Sequence, residues 1–303
     1  MIFRKTETSM RRQITICARF CSLIFLGIFL SSCNERQPAS QGLYQAVDEL
    51  YDAVVARAAV YEVIAEIDHS RLAAKEGEVM PPARVVIFSD PAVNTPVLQQ
   101  EPLAGLDLPF RVLAYAQGEL SAVIFTSADY LKRRHGLTDG PDLQRYEETI
   151  FSVVGSLPEE AVVQFDTSSL QKGAGIATLS SNYGFDQTID RLKTNILAQG
   201  DTIWFGEIDY QAEAATLGVE LPKLTLLLFG APGPGAKAMA DIPRMGLDAF
   251  CQKVLVYELT DRSVKVFFNE MPVFAELHQG SKALPHWVIN YRMGKTLSGA
   301  IED

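Results

Sequence analysis

The chain of 303 residues is long enough for about two domains, and its 48% hydrophobic content is ordinary for globular proteins. Its formal net charge of −10 gives a surface that stays in solution but repels phosphate backbones and anionic headgroups. We therefore expect no nucleic-acid partner.

The amino-terminal segment has the parts of a bacterial secretion signal. Basic residues precede an apolar run at 20–30, and the run closes with Leu30-Ser31-Ser32-Cys33. This run is shorter than the roughly 20 residues that a membrane-spanning helix needs. Its last four residues resemble the lipobox of bacterial lipoproteins, in which the cysteine sulfur receives diacylglycerol. We predict a signal peptide at 1–32, lipid attachment at Cys33 and a tether at 33–43.

This signal predicts a protein of the bacterial cell envelope that faces the periplasm and is held to the membrane by its lipid. Asn34 does not favour retention in the inner membrane, so we expect the outer membrane in a Gram-negative cell. The alternative is an ordinary signal peptide with an incidental cysteine, and Met10 offers a second start. Apart from the acylated cysteine, only Cys251 would remain, and its apolar surroundings predict a core residue.

The rest of the chain contains one stretch twice. Residues 66–107 align with residues 207–248 at a shift of 141 positions without a gap. The shared residues include Glu-Ile-Asp at the start of each stretch and Gly-Leu-Asp at its end. A self-match of this length indicates two copies of one fold. We predict a first copy at 44–170 and a second at 171–303.

In chain order, the first copy is predicted to contain two strand-and-helix steps, a hairpin and two closing helices. The predicted ranges are helix 43–59, strand 60–67, helix 70–74, strand 84–88, helix 93–100, hairpin 110–115 with 120–126, and helices 127–135 and 142–154. Ser70 is the predicted cap of the second helix, and residues 161–165 offer one more strand to this copy. Adjacent hairpins indicate a mostly antiparallel sheet with helices packed on it.

The second copy is predicted to repeat this order after an additional edge strand at 175–180. The ranges are helix 185–197, strand 202–208, helix 212–217, strand 224–229, hairpin 253–258 with 264–268, and helices 272–278 and 285–297. The predicted fold class is therefore α+β, as two tandem copies of a small domain.

The repeated pattern resembles a known family. It reads E-I-D, then F-[GS]-x-P, then a proline and G-L-D before an apolar hairpin, and is clearest at Phe229-Gly230-Ala231-Pro232. This pattern resembles the bacterial domain of unknown function 302, over about residues 44–157 and 171–303. The resemblance implies a small α+β domain that often pairs with a second copy, and it implies no activity.

The first candidate site is a glycine-rich turn in the second copy. Gly230, Gly233 and Gly235 follow an apolar strand and precede Lys237, an arrangement that can point backbone N–H groups at an anion. The spacing departs from the phosphate loop G-x-x-x-x-G-K-[ST], and the two interleaved prolines remove donors. A plain strand-to-helix turn is favoured, and a small anion or the end of a lipid is the alternative ligand.

The second candidate is acidic. Asp68 and Asp209 each follow a glutamate by two positions, so each pair can present two carboxylates on one face of a strand. Such pairs serve acid–base chemistry or hold a hard cation, but acids that lead into a helix more commonly cap it. Asp107 and Asp248 precede the hairpins and are interpreted as turn or cap residues.

No motif indicates a catalyst or a cofactor. His135 and His278 occupy matching positions late in matching helices, which favours a helix-dipole explanation over a metal site. The common metalloprotease, redox, haem and hydrolase motifs are absent from the sequence. We expect no cofactor and favour a non-catalytic module that binds a small or apolar ligand or an envelope protein. The alternatives are a hydrolase or metal-assisted enzyme for an anionic substrate, and a structural module of an envelope complex.

Overall fold

The computed structural model describes residues 39–278 and 280–302. Both copies belong to one compact unit, Pro38–Asp303. The predicted signal peptide and lipid-attachment residue Cys33 lie outside the described residues. Helix α1 begins at Gln41, inside the range predicted as tether, because the side chain of Ser40 caps it by accepting a hydrogen bond from the Leu43 backbone.

The first copy follows the predicted order with small shifts of boundaries. Its elements are α1 (Gln41–Ala58), β1 (Glu62–Asp68), α2 (His69–Lys75), β2 (Ala83–Ser89), α3 (Pro91–Gln100), a 3₁₀ helix (Pro102–Leu106), β3 (Phe110–Gln117), β4 (Leu120–Phe125), α4 (Ala128–His135), α5 (Pro141–Val154), a 3₁₀ turn (Glu159–Ala161) and β5 (Val162–Val163). The predicted cap of α2 is wrong: the carboxylate of Asp68 caps this helix, at 2.8 Å from the Arg71 nitrogen. Ser70 instead donates to that carboxylate.

The second copy repeats the series, with its extra strand at the start as predicted. Its elements are β6 (Ile176–Ser181), α6 (Phe185–Leu197), β7 (Ile203–Asp209), α7 (Tyr210–Thr216), β8 (Leu224–Gly230), α8 (Pro232–Met239), a 3₁₀ helix (Pro243–Leu247), β9 (Gln252–Glu258), β10 (Val264–Asn269), α9 (Met271–Leu277) and α10 (Leu284–Ile301).

Each copy builds one five-stranded sheet. The first has the order β1-β2-β3-β4-β5, antiparallel except for the parallel pair β4–β5. The second has the order β6-β10-β9-β8-β7 and is antiparallel throughout. The mostly antiparallel α+β prediction is confirmed. The short strand β5 shows that residues 162–163 complete the first sheet, as the sequence suggested.

The two copies cover each other reciprocally. Helices α1 and α5 pack together on the first copy, and α6 and α10 do so on the second. The 3₁₀ helix of each copy packs on the sheet of the other: Pro102–Leu106 on β8 and β9, and Pro243–Leu247 on β2, β3 and β4. Helix α2 packs on α8, and α3 on α7. One buried cluster therefore runs through both copies.

Candidate ligand pocket at the interface of the two copies

The repeated Gly-Leu-Asp motif makes the contact between the copies. A Cβ atom on Gly105 would lie 3.0 Å from the ring of Tyr210, and one on Gly246 would lie 3.0 Å from the ring of His69. Tyr210 donates a hydrogen bond of 3.0 Å to the carbonyl of Gly105, and Nε2 of His69 lies 3.3 Å from the carbonyl of Gly246. Glycine is needed because each ring lies directly against the opposite backbone.

The aspartate of each motif is buried among cations. Asp107 contacts Arg134, and its Oδ1 atom lies 3.0 Å from Nζ of Lys253 of the other copy. Its Oδ2 atom lies 2.7 Å from Nε2 of His135. An ionised carboxylate only accepts hydrogen bonds, so Nε2 of His135 carries the hydrogen.

Asp248 has the equivalent position in the second copy. It lies 3.1 Å from Nε2 of His278 and 3.0 Å from Nη2 of Arg111. The Arg111–Asp248 and Lys253–Asp107 ion pairs, both 3.0 Å long, each connect one copy to the other. In total, the two aspartates form ion pairs with three cations. We call Asp107, Asp248, Arg111, Arg134 and Lys253 the central ionic cluster.

Burial and charge act in opposite directions on these groups. Burial raises the pKa of Asp107, but the charges of Arg134 and Lys253 outweigh this effect and hold its pKa well below the usual range. The pKa of Asp248 is lowered for a similar reason: burial raises it, and the bond to His278 and the charge of Arg111 overcome that rise. Burial and Arg111 lower the pKa of Lys253 to about 8.

The interpretation of these aspartates as turn or cap residues needs correction. Asp107 and Asp248 do end the two 3₁₀ helices, but their side chains are buried and ion-paired. His135 and His278 bond to these carboxylates, which explains their matching positions better than a helix dipole does. The repeated G-L-D and the two matching histidines were the available sequence signals for this cluster.

Two adjoining apolar pockets lie beside the glycine-rich turn and share Ala231, Gly235 and Phe250. The interface pocket lies between the copies and is narrow, with a cavity volume of about 20 Å³ within about 300 Å³ of empty space that includes open solvent. Its other lining residues are Ile67, His69, Leu72, Phe205, Gly230, Pro232, Met239 and Cys251. Burial raises the pKa of the Cys251 thiol to about 11, so this wall is a neutral surface.

The second pocket, which we call the helix pocket, lies under α6 and α10 and has a cavity volume of about 40 Å³ within about 440 Å³ of empty space that includes open solvent. Ile289, Met293 and Leu297 of α10 line it on one side, and Phe229 of β8 on the other. Apolar walls with a few polar groups are typical of small-molecule sites. Gln252 and Arg292 supply such groups here.

The equivalent position in the other half of the repeat differs in chemistry from the interface pocket. Under the shift of 141 residues, Gly230, Gly235 and Leu72 correspond to Ser89, Asn94 and Glu213. Those three side chains form a chain of hydrogen bonds: Asn94 donates to Ser89 at 2.9 Å, and Ser89 donates to Glu213 at 3.1 Å. One of two equivalent positions is thus filled by a polar network. The other has an apolar lining, in which the rings of Phe205 and Phe250 lie 2.9 and 3.3 Å from where Cβ atoms on Gly230 and Gly235 would be.

The polar network holds a carboxyl group with altered acidity. Burial raises the pKa of Glu213 to about 7, and the nearby charge of Glu62 adds to this effect. The folded protein therefore keeps this proton at pH values where the unfolded chain has lost it. The contribution of Glu213 to the free energy of unfolding therefore falls as the pH rises from the ordinary glutamate pKa of 4.5 through about 7.

We expect Glu213→Gln to stabilise the protein at pH 8 by about 1 kcal/mol, a value reduced for partial solvent screening. The gain should be much smaller near pH 4.5, where Glu213 is protonated in the folded state and half protonated in the unfolded chain. Urea unfolding at the two pH values measures the difference. Glu207→Gln, at an exposed glutamate that pairs with Lys193, is the matched control. An equal effect of Glu213→Gln at both pH values would contradict the assignment.

The other candidate residues in the glycine-rich turn lie away from the pockets. Helix α8 begins at Pro232 with no side-chain cap. A Cβ atom on Gly233 would lie 3.7 Å from Cβ of Glu76. The exposed Lys237 forms an ion pair of 2.9 Å with Glu78 of the first copy. Of the four predicted binding residues Gly230, Gly233, Gly235 and Lys237, only Gly230 and Gly235 line the two pockets described above.

The acidic candidates are occupied locally. Asp209 caps α7 through a bond of 3.0 Å from the Ala212 nitrogen, and Asp68 caps α2 and pairs with Arg71 and Arg84. Within residues 39–278 and 280–302, no group of three or more His, Cys, Asp or Glu side chains is placed to hold a metal ion. Over the same ranges, no helix combines the length and apolarity that crossing a bilayer requires.

These features define a tandem α+β protein in which two copies of one domain share a core and leave an apolar pocket at their interface. The family model for "Domain of unknown function DUF302" matches residues 37–156 and 177–302. The chain therefore belongs to the DUF302 family and contains two of its domains.

Similar proteins cover only parts of the chain. "Fluoride-specific ion channel FluC 1" of Brucella suis is 34% identical over 96 residues, which are 30% of this chain and 37% of that protein. "Fluoride-specific ion channel FluC 2" of Brucella melitensis has the same identity over 35% of its length. The chain thus spans about a third of these relatives. A DUF302 protein from Bacillus stearothermophilus of known structure gives a TM-score of 0.35 at 16% identity, over 42% of this chain and 96% of that one.

Proposed function

We propose that this protein is a lipid-anchored module of the bacterial cell envelope that binds a small apolar ligand without chemical conversion. The observation that carries the proposal is the difference between two equivalent positions. Ser89, Asn94 and Glu213 fill one of them with a polar network, and Gly230, Gly235 and Leu72 give the other the apolar lining of a narrow pocket. Anchoring through Cys33 is the second part of the proposal and is supported by the lipobox-like sequence.

The walls of the pockets specify the ligand class. Leu72, Phe250 and Met239 are apolar, and the thiol of Cys251 is neutral. Burial lowers the pKa of His69 to about 4, so its imidazole is uncharged at neutral pH. An anionic ligand would meet no cation in the interface pocket. The chemistry of this lining matches an acyl chain or a small aromatic molecule.

Indole is a suitable small probe, followed through methionine methyl groups by NMR. Met239 and Met293 line the pockets, and Met80 and Met271 lie elsewhere in the core. We expect indole to shift the first two methyl signals and to leave the other two unchanged. Ala231→Leu should abolish these shifts, because Ala231 borders both pockets.

Ala215→Leu is the matched control because it makes the same change on the exposed face of α7. Equal indole shifts in wild type and Ala231→Leu would overturn the pocket assignment. No shift in the wild type at saturating indole would also count against it.

A second candidate function, binding of a small anion, is favoured by Arg111. This guanidinium is buried, and its Nε and Nη1 atoms have no hydrogen-bond partner among the described residues. With Lys253 protonated, the central ionic cluster has one more cation than carboxylates, and an anion would balance it. The matched relatives are named for fluoride, so fluoride is the probe of choice.

At constant ionic strength, we expect fluoride to raise Tm for the wild type relative to gluconate, because a ligand that binds only the folded state stabilises it. Arg111→Gln should remove this rise, and Lys132→Gln, at a half-exposed surface lysine, should retain it. An equal rise in wild type and Arg111→Gln would contradict anion binding at this residue.

A further inference from the structure

Helix α10 has large apolar side chains on its outer face. Leu284, Trp287, Val288 and Tyr291 are 75%, 54%, 55% and 68% exposed. Their spacing of three, four and seven positions places them on one side of the helix. The inner face of the same helix packs into the core through residues such as Ile289 and Leu297. We call the four exposed residues the α10 stripe.

The first copy provides an internal comparison. When α5 and α10 are aligned on their buried faces, Trp287, Val288 and Tyr291 correspond to Gln144, Arg145 and Glu148. These three residues of α5 are exposed, and Gln144 donates a hydrogen bond of 3.0 Å to Glu148. The same position in the fold is thus polar in one copy and apolar in the other. A structural requirement of the fold cannot explain the α10 stripe.

Charge and residue type indicate what covers this face. Helix α10 contains no Asp or Glu in a chain whose formal net charge is −10. Lys295, one turn beyond Tyr291, is exposed and has no ion pair within residues 39–278 and 280–302. Trp and Tyr are favoured at the boundary between headgroups and acyl chains, and a flanking lysine matches the phosphates there.

We propose that the α10 stripe is a membrane-docking surface that lies in the headgroup region of a lipid bilayer, with Lys295 toward the phosphates. This surface differs from the pockets and from the predicted lipid anchor. Docking would also make the bilayer the source of the apolar ligand. Ile289 and Met293 of α10 line the helix pocket, so docking would place that pocket directly above the bilayer. This last consequence rests on the proposed function, but the docking itself does not.

The test uses the full chain on vesicles of phosphatidylcholine mixed with phosphatidylglycerol. The chain has two tryptophans, so Trp204→Phe leaves Trp287 as the single fluorescent reporter. Lipids brominated on the acyl chains quench a tryptophan that reaches them. We expect Trp287 to lose at least about half of its fluorescence and to become protected from acrylamide.

The matched control moves the reporter to the equivalent position of the first copy, as Trp204→Phe with Trp287→Gln and Gln144→Trp. Both proteins have the same amino-terminal segment, so a difference in quenching reports which face meets the lipid. The tryptophan introduced by Gln144→Trp should remain open to acrylamide and unquenched by the brominated lipids. In addition, Lys295→Glu should weaken quenching of Trp287 on vesicles that contain phosphatidylglycerol.

Two results would overturn the proposal. The first is a Trp287 that stays unquenched and as accessible to acrylamide as the reporter in the control protein. The second is protection of Trp287 without lipid that disappears on dilution, which would assign the stripe to contact between two copies of the chain. Indole binding, measured separately, would be unaffected by either result, so failure of docking can be distinguished from failure of the ligand proposal.

Discussion

Replacing Asp107 with Asn is expected to lower the free energy of unfolding by about 3–5 kcal/mol. The substitution keeps the shape of the side chain and removes its charge. Arg134 would lose its carboxylate partner, and Lys253 would keep only Asp248, at 3.9 Å. Both cations are buried, so water cannot replace the lost interaction. Breaking one side of a buried ionic network leaves uncompensated charge, which is the costly case.

Urea unfolding of the compact unit measures this loss. Asp139→Asn is the control, since Asp139 is largely exposed and pairs with Lys132 at the surface. An exposed pair contributes at most about 1 kcal/mol, so the control should unfold almost as the wild type does. Equal losses of unfolding free energy in Asp107→Asn and Asp139→Asn would contradict a large contribution of the central ionic cluster to stability.

Separating the two copies is expected to abolish cooperative folding of each. Residues 39–170 alone would expose the face of β2 and β3 that the 3₁₀ helix Pro243–Leu247 covers. Residues 171–303 alone would leave buried Lys253 without Asp107. Each fragment thus loses both apolar burial and charge neutralisation. We expect circular dichroism to show little cooperative melting for either fragment.

Mixing the fragments should restore the fold as a one-to-one complex. Self-pairing of the first copy would bury the guanidinium groups of Arg111 and Arg134 twice against two Asp107 carboxylates, an excess of positive charge. The two different copies balance each other better. An intact chain with a Gly-Ser insertion after Ser168, in the exposed connection, is the control and should fold normally. Independent cooperative melting of both fragments would contradict reciprocal coverage.

Local sequence signals predicted the elements well. Helix α6 was predicted with the correct ends, 185–197, because its apolar spacing is regular. Strand β6 and the hairpins were also predicted, since turn residues and alternating apolar residues mark them. At α2 the capping interpretation of Asp68 is confirmed and the assignment of Ser70 is wrong, since both residue types cap helices well and the choice depends on backbone angles at the end of β1.

The site was only partly predictable, for a physical reason. The sequence pattern of the glycine-rich turn suggested anion binding, but the structure places Gly230 and Gly235 in the apolar wall of the interface pocket, close against the rings of Phe205 and Phe250. Leu72 belongs to the other copy, and no local pattern links it to the turn. Likewise, the burial of Asp107 and Asp248 follows from how each copy covers the other, which a single stretch of sequence does not encode.

The most direct test of ligand binding is native mass spectrometry of the protein purified from its native host, as wild type and Ala231→Leu. We expect a reproducible additional mass on the wild type, soluble in organic solvent, that is absent from Ala231→Leu and retained by Ala215→Leu. The chain mass alone on the wild type, or the same additional mass on Ala231→Leu, would contradict a ligand held in the interface and helix pockets.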